Sequence, residues 1–337
     1  MKSMWYLFLR TYAQLGFFFY YKKIMVRGTE NIPKDKPIMF VSNHPNALID
    51  PLLIAVTNHR TTYFFTRAAV FKPGLIEWFM RSANMLPVYR IRDGLSTVKK
   101  NEAVFEFSFS LLKEKLALLI FAEGSHSLDR KVRPLSKGFT RVVFGSLEKY
   151  PDLDIVIIPV GINYTSPTEY GSKVSLTYAA PIWVNDFRFD DQNLQASELT
   201  KATSDSLKKI VCHIEDPDFD TSLIDENEYV DPVAFNRKLI SGDLKKVPRH
   251  QGKSFNIFGI LFKINSFLPI LFWKKKEKEI DEAEFIATYK YSIGITAFPI
   301  TYLIQAFVLG YFFGNEIAWI YLISSFLVAL LYVKTKK

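Results

Sequence analysis

Residues 38–56 read IMFVSNHPNALIDPLLIAV. Ile38–Ser42 is a short apolar run without alternation, the pattern of a strand buried on both faces. Asn43–Pro45 breaks it. From about residue 50 the apolar positions return at helical spacing, and the spacing predicts a helix over about 50–58. His44 therefore lies at a strand end. Six residues at 100° each keep His44 and Asp50 apart on any shared helix. They can meet only if His44 stays in the loop and Asp50 opens the helix. Pro51 favours that, because proline suits the first helical position and aspartate the N-cap. The local pattern thus admits two readings. One is a capped turn. The other is a histidine held by a carboxylate, with His44 as general base.

The same strand-then-helix alternation continues outward. PIMFVSN, TTYFFTR, NMLPVYR, LALLIFAEG, DIVIIPVGIN and KVSLTY are strand-like, and helical patterns fall at about 50–58, 73–83, 97–114 and 136–149. This predicts an α/β body over 24–190, a mixed, largely parallel sheet flanked by helices. Residues 191–253 are polar and acid-rich, and read as a helical connector with a helix near 196–215.

The ends of the chain point to lipid. Tyr291–Phe313 is uncharged, and so is Ile317–Val333 after a Gly-Asn-Glu turn. A span needs about 20 apolar residues, with a lower limit near 17, so 291–333 predicts a transmembrane hairpin within a membrane-associated region 254–337. WKKKEK and KTKK flank the hairpin on both sides, which by the positive-inside rule puts both ends in the cytoplasm. Phe255–Trp273 is also apolar, but Lys263 at its centre opposes a straight span and favours an interfacial or re-entrant segment. Residues 1–23 are aromatic-rich, with Arg10 inside and no small-residue cleavage site. They read as an interfacial helix rather than a signal peptide, with an ordinary docking helix as the competing reading.

Composition narrows the partners. The 337 residues carry a net charge of +9, which suits an anionic partner. No nucleic-acid motif accompanies it, so membrane lipid is the better match. The single cysteine excludes an intramolecular disulfide and a cysteine-built zinc site. The histidines lack metal-ligand spacing, and no metal or cofactor is expected. His59, His213 and His250 read as structural or surface residues.

Polar residues gather at three further strand ends, where α/β proteins place function. Arg90 and Arg92 precede the Asp93-Gly94 turn, and an arginine there suits a phosphate. Glu123 and Gly124 end the most apolar strand. Gly124 permits close ligand approach, and the basic run Arg130, Lys131, Arg133, Lys137 and Arg141 follows, an anion site by placement. The strand ending in Pro159 and Gly161 shapes a pocket rather than reacts.

Together, NHPNALID, the block ending in Arg90, FAEGSHS and IIPVGINY resemble, in order, the four blocks of the glycerolipid acyltransferase family, spread over roughly residues 38–165. Two departures carry information. Five residues separate His44 from Asp50, where the bacterial lysophosphatidate enzymes have four. His126 stands where their FPEGTRS block has arginine. Both variations are similar to the glycerol-3-phosphate and dihydroxyacetone-phosphate acyltransferase branch. The resemblance implies that fold, a membrane-bound O-acyltransferase, and an acyl-CoA or acyl carrier protein donor. The implied acceptor is glycerol-3-phosphate or dihydroxyacetone phosphate, with lysophosphatidate or another lysophospholipid as the alternative. It implies His44 as base and Asp50 as its orienting carboxylate. Arg90 would bind substrate phosphate, and Glu123, Gly124, Ser125 and His126 would shape the acceptor pocket. Arg133 and Lys137 are added on charge. The active site would face the cytoplasm from an integral membrane protein, in a bacterial inner membrane or its equivalent. A non-catalytic lipid-binding protein on the same fold is the reading from another class.

Overall fold

The structure, a computed structural model, describes residues 2–89, 100–244 and 255–336. Eight strands form one sheet: β1 (Lys23–Arg27), β2 (Ile38–Ser42), β3 (Thr62–Arg67), β4 (Met85–Val88), β5 (Ala117–Ile120), β6 (Val156–Tyr164), β7 (Lys173–Tyr178) and β8 (Ile182–Trp183). Their order is β1-β7-β6-β2-β5-β3-β4, with β8 also on β6. β6, β2, β5, β3 and β4 run parallel to one another, while β7 and β8 pair antiparallel to β6. The sheet is thus mixed and largely parallel, as the alternation of strand and helix predicts. All six expected strands are present. β1 and β8 are additions: β1 is a charged edge strand and β8 is two residues long, so neither leaves an apolar run.

Every residue of β2 and of β6 is buried. Helices cover both faces. α2 (Ile49–Thr57) and α1 (Lys2–Tyr20) pack on one side, and α4 (Lys100–Lys113), α5 (Gly138–Lys149) and α6 (Gln192–Ile210) on the other. α3 (Leu75–Ser82) precedes β4. Pro159 lies inside central β6, where proline is normally excluded. There β6 changes neighbours, from β8 at Val156–Ile157 to β7 at Val160–Tyr164, so the missing N–H falls in the gap. A Cβ at Gly161 would lie 2.3 Å from the Ile210 carbonyl oxygen. Glycine there lets the end of α6 reach the sheet, which is a packing reason rather than the pocket role expected for it.

The segment read as a connector begins inside the body. Leu199, Leu207 and Ile210 of α6 belong to the main core, so the core extends to Val211. α7 (Pro232–Ser241) follows, over a small cluster of Cys212, Ile224, Tyr229 and Phe235.

At the N-terminus, α1 has two faces. Ala13, Phe17 and Tyr20 are buried in the core, while Met4, Leu7, Phe8, Leu15 and Phe18 are exposed. The docking reading describes the buried face, and the other face leaves apolar side chains exposed. The C-terminal region holds α8 (Ile257–Asn265) and α9 (Phe267–Glu277), bent by 86° at Ser266, then α10 (Ile286–Phe313) and α11 (Asn315–Thr335). Ala283–Phe313 and Asn315–Thr335 are long and apolar enough to cross a membrane. Gly314 alone makes the turn, at φ +94°, and Asn315 already belongs to α11. Tyr321 Oη donates to Gln305 Oε1 at 2.7 Å and Ser266 Oγ bonds Tyr302 Oη at 2.6 Å, so polar side chains tie the apolar helices together. Both ends of the hairpin touch the body. Leu48 N–H donates to Thr288 Oγ1 at 3.1 Å, and Lys334 Nζ donates to the Tyr21 carbonyl at 2.9 Å.

Candidate active site

His44 lies in the β2–α2 loop, and Asp50 in the first turn of α2. Asp50 is not the N-cap expected of it. The helix starts at Ile49, which places Pro51 third, still in the first turn where a missing N–H costs nothing. The Asp50 carboxylate instead turns back over the loop. His44 Nδ1 and Asp50 Oδ2 are 2.8 Å apart. A carboxylate can only accept, so Nδ1 carries the proton and Nε2 is left as the basic nitrogen. Asn46 N–H donates to the same oxygen at 2.7 Å, and Tyr164 Oη donates to Oδ1 at 2.6 Å. Asp50 is fully buried. Burial pushes its carboxyl above the usual carboxylate range, while the hydrogen bonds from His44, Tyr164 and Asn46 pull it down.

The imidazole is fixed on other sides too. It stacks on Phe121, at the end of β5, with ring centroids 3.8 Å apart. The His44 carbonyl accepts from Ser127 N–H at 3.0 Å. Asn43 exchanges two hydrogen bonds with Ile162 of β6, at 2.9 and 2.8 Å, which locks the loop to the neighbouring strand. Asn43, Asn46, Phe121 and Tyr164 had no assigned role in the sequence. The signal for Tyr164 was present: it ends the longest apolar strand, in the same motif block.

Around the dyad the expected pocket residues divide. Glu123 and Arg133 pair with each other, Nη2 to Oε2 at 2.7 Å and Nε to Oε2 at 3.1 Å. Arg133 Nη1 donates to Ser125 Oγ at 2.8 Å, and Nη2 also donates to the Ser125 carbonyl. Four of the five guanidinium N–H donors are thus engaged in clasping the loop, so Arg133 is largely committed and Glu123 orients it rather than facing a ligand. A Cβ on Gly124 would meet no atom within 4 Å. Its glycine is required by the left-handed φ of +77° and not by crowding. Lys137 is exposed at the N-cap of α5, beside Ser136, whose N–H donates to the Ala122 carbonyl next to Phe121. Among the described residues Lys137 has no ion pair. Arg130 is committed to structure: it donates to the Tyr164 and Thr165 carbonyls and covers the Tyr229 ring. Arg90, Arg92 and His250 lie outside the described residues. His213 accepts from Val132 N–H at 3.0 Å.

His126 comes within 5.8 Å of the His44 ring, centroid to centroid. It also meets a segment the sequence did not connect to the site. Its Nε2 is 3.7 Å from Glu282 Oε2, and its ring packs edge-on to Phe285. His126, Glu282 and Glu284 bring three possible metal-ligand atoms within 4.8 Å of one another. This juxtaposition comes from tertiary contact and leaves no spacing in the sequence. Burial and His44 lower the His126 pKa, and Glu282 and Glu284 oppose them.

A basic imidazole nitrogen beside a buried carboxylate suits proton removal from a hydroxyl. Residues 23–163 match the family model described as Acyltransferase. Glycerol-3-phosphate O-acyltransferase 2 of Saccharomyces cerevisiae is 20% identical over 212 residues, which cover 59% of this chain and 27% of the yeast protein. The chloroplastic 1-acyl-sn-glycerol-3-phosphate acyltransferase of Brassica napus is 28% identical over 130 residues, 38% of this chain and 36% of that protein. The chain thus spans little more than a third, at most, of these two relatives. The crystal structure of a 1-acyl-sn-glycerophosphate acyltransferase from Thermotoga maritima aligns with a TM-score of 0.41 and 21% identity, over 55% of this chain and 70% of that one. Residues 23–163 thus form an acyltransferase domain, similar to parts of proteins named as glycerol-3-phosphate and 1-acyl-sn-glycerol-3-phosphate acyltransferases.

Proposed function

We propose that this chain is a membrane-bound O-acyltransferase that moves a fatty acyl group from an acyl thioester to a hydroxyl of glycerol-3-phosphate or dihydroxyacetone phosphate. The observation that carries the reading is the 2.8 Å contact between His44 Nδ1 and the fully buried Asp50. It leaves Nε2 as base, with no hydrogen bond to it among the described residues. His44 Nε2 takes the acceptor hydroxyl proton as that oxygen attacks the thioester carbonyl carbon. The tetrahedral intermediate collapses, the carbon–sulfur bond breaks, and the thiolate leaves with the proton from His44. Asp50 holds the ring and stabilises the imidazolium. Lys137 and the remaining Arg133 N–H are assigned to the acceptor phosphate, and Ser125 and His126 to the pocket wall. Donor carriers fitting the reading are coenzyme A and acyl carrier protein.

The five-residue spacing from His44 to Asp50, His126 in FAEGSHS and the yeast relative support glycerol-3-phosphate as acceptor. The Brassica relative supports the second acceptor, lysophosphatidate. Both hairpin ends contact the catalytic body, and both are lysine-rich, which supports a site on the cytoplasmic face.

The test is acyl transfer by the purified chain in liposomes, with labelled acyl thioester and a panel of the three acceptors and other lysophospholipids. Label on glycerol-3-phosphate, lost in His44→Ala, is the expected result. Label on lysophospholipids alone moves the acceptor to the second reading. Wild-type rates in His44→Ala refute the base assignment.

A further inference from the structure

A cavity of about 670 Å³ lies between α1, the bent α8–α9 pair and the hairpin helices. Sites for small organic ligands run to roughly 300–1,000 Å³. Its walls are almost wholly apolar, with Phe19, Phe262, Phe298, Tyr302, Phe326 and Tyr332 among them. Three cations interrupt them: exposed Lys263 and Lys274, and half-buried Lys290. Lys263 is the charge that had no place in the apolar run 255–273. Tyr20 also lines the cavity, and its buried hydroxyl has no hydrogen-bond partner among the described residues.

Two chains of contacts run from the cavity wall to the dyad. Lys290 Nζ donates to the Thr168 carbonyl at 2.9 Å, and Asn46 Nδ2 donates to the preceding Pro167 carbonyl at 3.1 Å, while Asn46 N–H holds Asp50. Thr288, two residues before Lys290, accepts from Leu48 of the catalytic loop. From the other side, Tyr20 packs on Tyr21 and Tyr21 on Tyr164, the phenol that donates to Asp50.

We infer that the cavity receives the acyl chain of the thioester donor, with the anionic donor carrier held at Lys263 and Lys274. The inference rests on the acyl-transfer reading above, in which glycerol-3-phosphate has no chain and the donor supplies the one to be housed. Apolar walls fit the chain, and the lysines fit a carrier that is anionic whether it is coenzyme A or acyl carrier protein.

Gly294 offers the test. It lines the cavity, and a Cβ there meets no atom within 4 Å, so a larger side chain starts into the cavity without its Cβ displacing a neighbour. Full-length wild type and Gly294→Phe are compared in nanodiscs, with octanoyl and palmitoyl thioesters. The readout is the palmitoyl-to-octanoyl rate ratio, which a partly unfolded sample does not move. The expected change is a fall of roughly tenfold or more, the scale a few lost methylene contacts set. In parallel, His44→Ala is irradiated with a palmitoyl thioester bearing a diazirine at the chain end. Label is expected on residues 2–20, 257–277, 286–313 or 315–335, and unlabelled palmitoyl thioester should displace it. An unchanged ratio, label confined to the sheet body, or displacement only by lysophosphatidate or by phosphatidylglycerol overturns the assignment. The last two results identify the occupant as the acceptor or a bilayer lipid. A wild type that acylates no acceptor overturns the acyl-transfer reading itself, whereas an active wild type with an unmoved ratio overturns only the cavity.

Discussion

Under the proposed acyl transfer, replacing Asp50 by Asn separates the catalytic use of the carboxylate from its structural use. The amide keeps the shape and can still accept through one oxygen from His44 Nδ1 and Asn46 N–H, and its NH₂ can donate to Tyr164 Oη. What it lacks is the charge facing the imidazolium that forms when His44 takes a proton. The pair is 2.8 Å apart, with Asp50 fully buried and the His44 side chain 14% exposed. Two charges about 4 Å between centres at an effective dielectric of about 20 attract by ~4 kcal/mol. At 1.36 kcal/mol per decade, that is on the order of a thousandfold in rate. The loss should fall on kcat, with KM for the acceptor nearly unchanged, since no acceptor contact is removed.

Stability should move the other way. Burial raises the Asp50 carboxyl, so the folded chain binds that proton more tightly than the unfolded chain. The favourable contribution is complete below the unfolded carboxylate pKa and is lost as pH rises through the raised folded value. At neutral pH the ionised group therefore costs the fold free energy, and asparagine does not. Asp50→Asn should melt no lower than wild type at pH 7, with its relative advantage shrinking as the pH falls towards the ordinary carboxylate range. Steady-state acyl transfer and thermal melts across pH, on the same purified samples, measure both. Activity within about tenfold of wild type would refute the electrostatic role, being less than half of the ~4 kcal/mol expected. A large fall in melting temperature at pH 7 would show that the lost activity came from unfolding.

Further outcomes follow from single contacts. Arg133→Lys keeps the charge but loses the fork that holds Glu123 and Ser125, and should cost about 1–3 kcal/mol in denaturant unfolding; an unchanged midpoint would mean the clasp contributes nothing. Gly161→Ala drives a Cβ to 2.3 Å from the Ile210 carbonyl and should cost about 1–3 kcal/mol through displacement of α6. Gly124→Ala meets no neighbour and should cost about 1–2 kcal/mol from its left-handed φ alone; melts that rank the two variants in reverse would contradict the packing account. A C-terminal reporter active only outside the cytoplasm should stay silent, and a signal from it would invert the topology.

Much of the fold was legible because buried parallel strands leave unbroken apolar runs. β2, β5 and β6 announce themselves, and so do two helices long enough for a bilayer. β1 and β8 were not legible, being a charged edge strand and a two-residue pairing with no pattern to read. The core boundary was misplaced because the polar face of α6 outnumbers the residues it buries, and only packing reveals Leu199, Leu207 and Ile210. At the site, the spacing of His44 and Asp50 sufficed to nominate the pair. Their contact, and the supports from Asn46, Tyr164 and Phe121, depend on three different strands and could not be counted along the chain. Charge was the poorest guide. Arg130, Arg133 and Lys137 look alike in a basic run, yet one covers strand-end carbonyls, one clasps Glu123 and one stands exposed.

By itself, then, the sequence determined the elements, the order of the motif blocks and the attraction to lipid, because these depend on residue type and local period. Only the tertiary structure decided which way Asp50 turns, which cations are already committed, and that Glu282–Phe285 before the membrane hairpin reaches His126. Those outcomes depend on what lies across a loop or a sheet, and a linear chain carries no record of that distance.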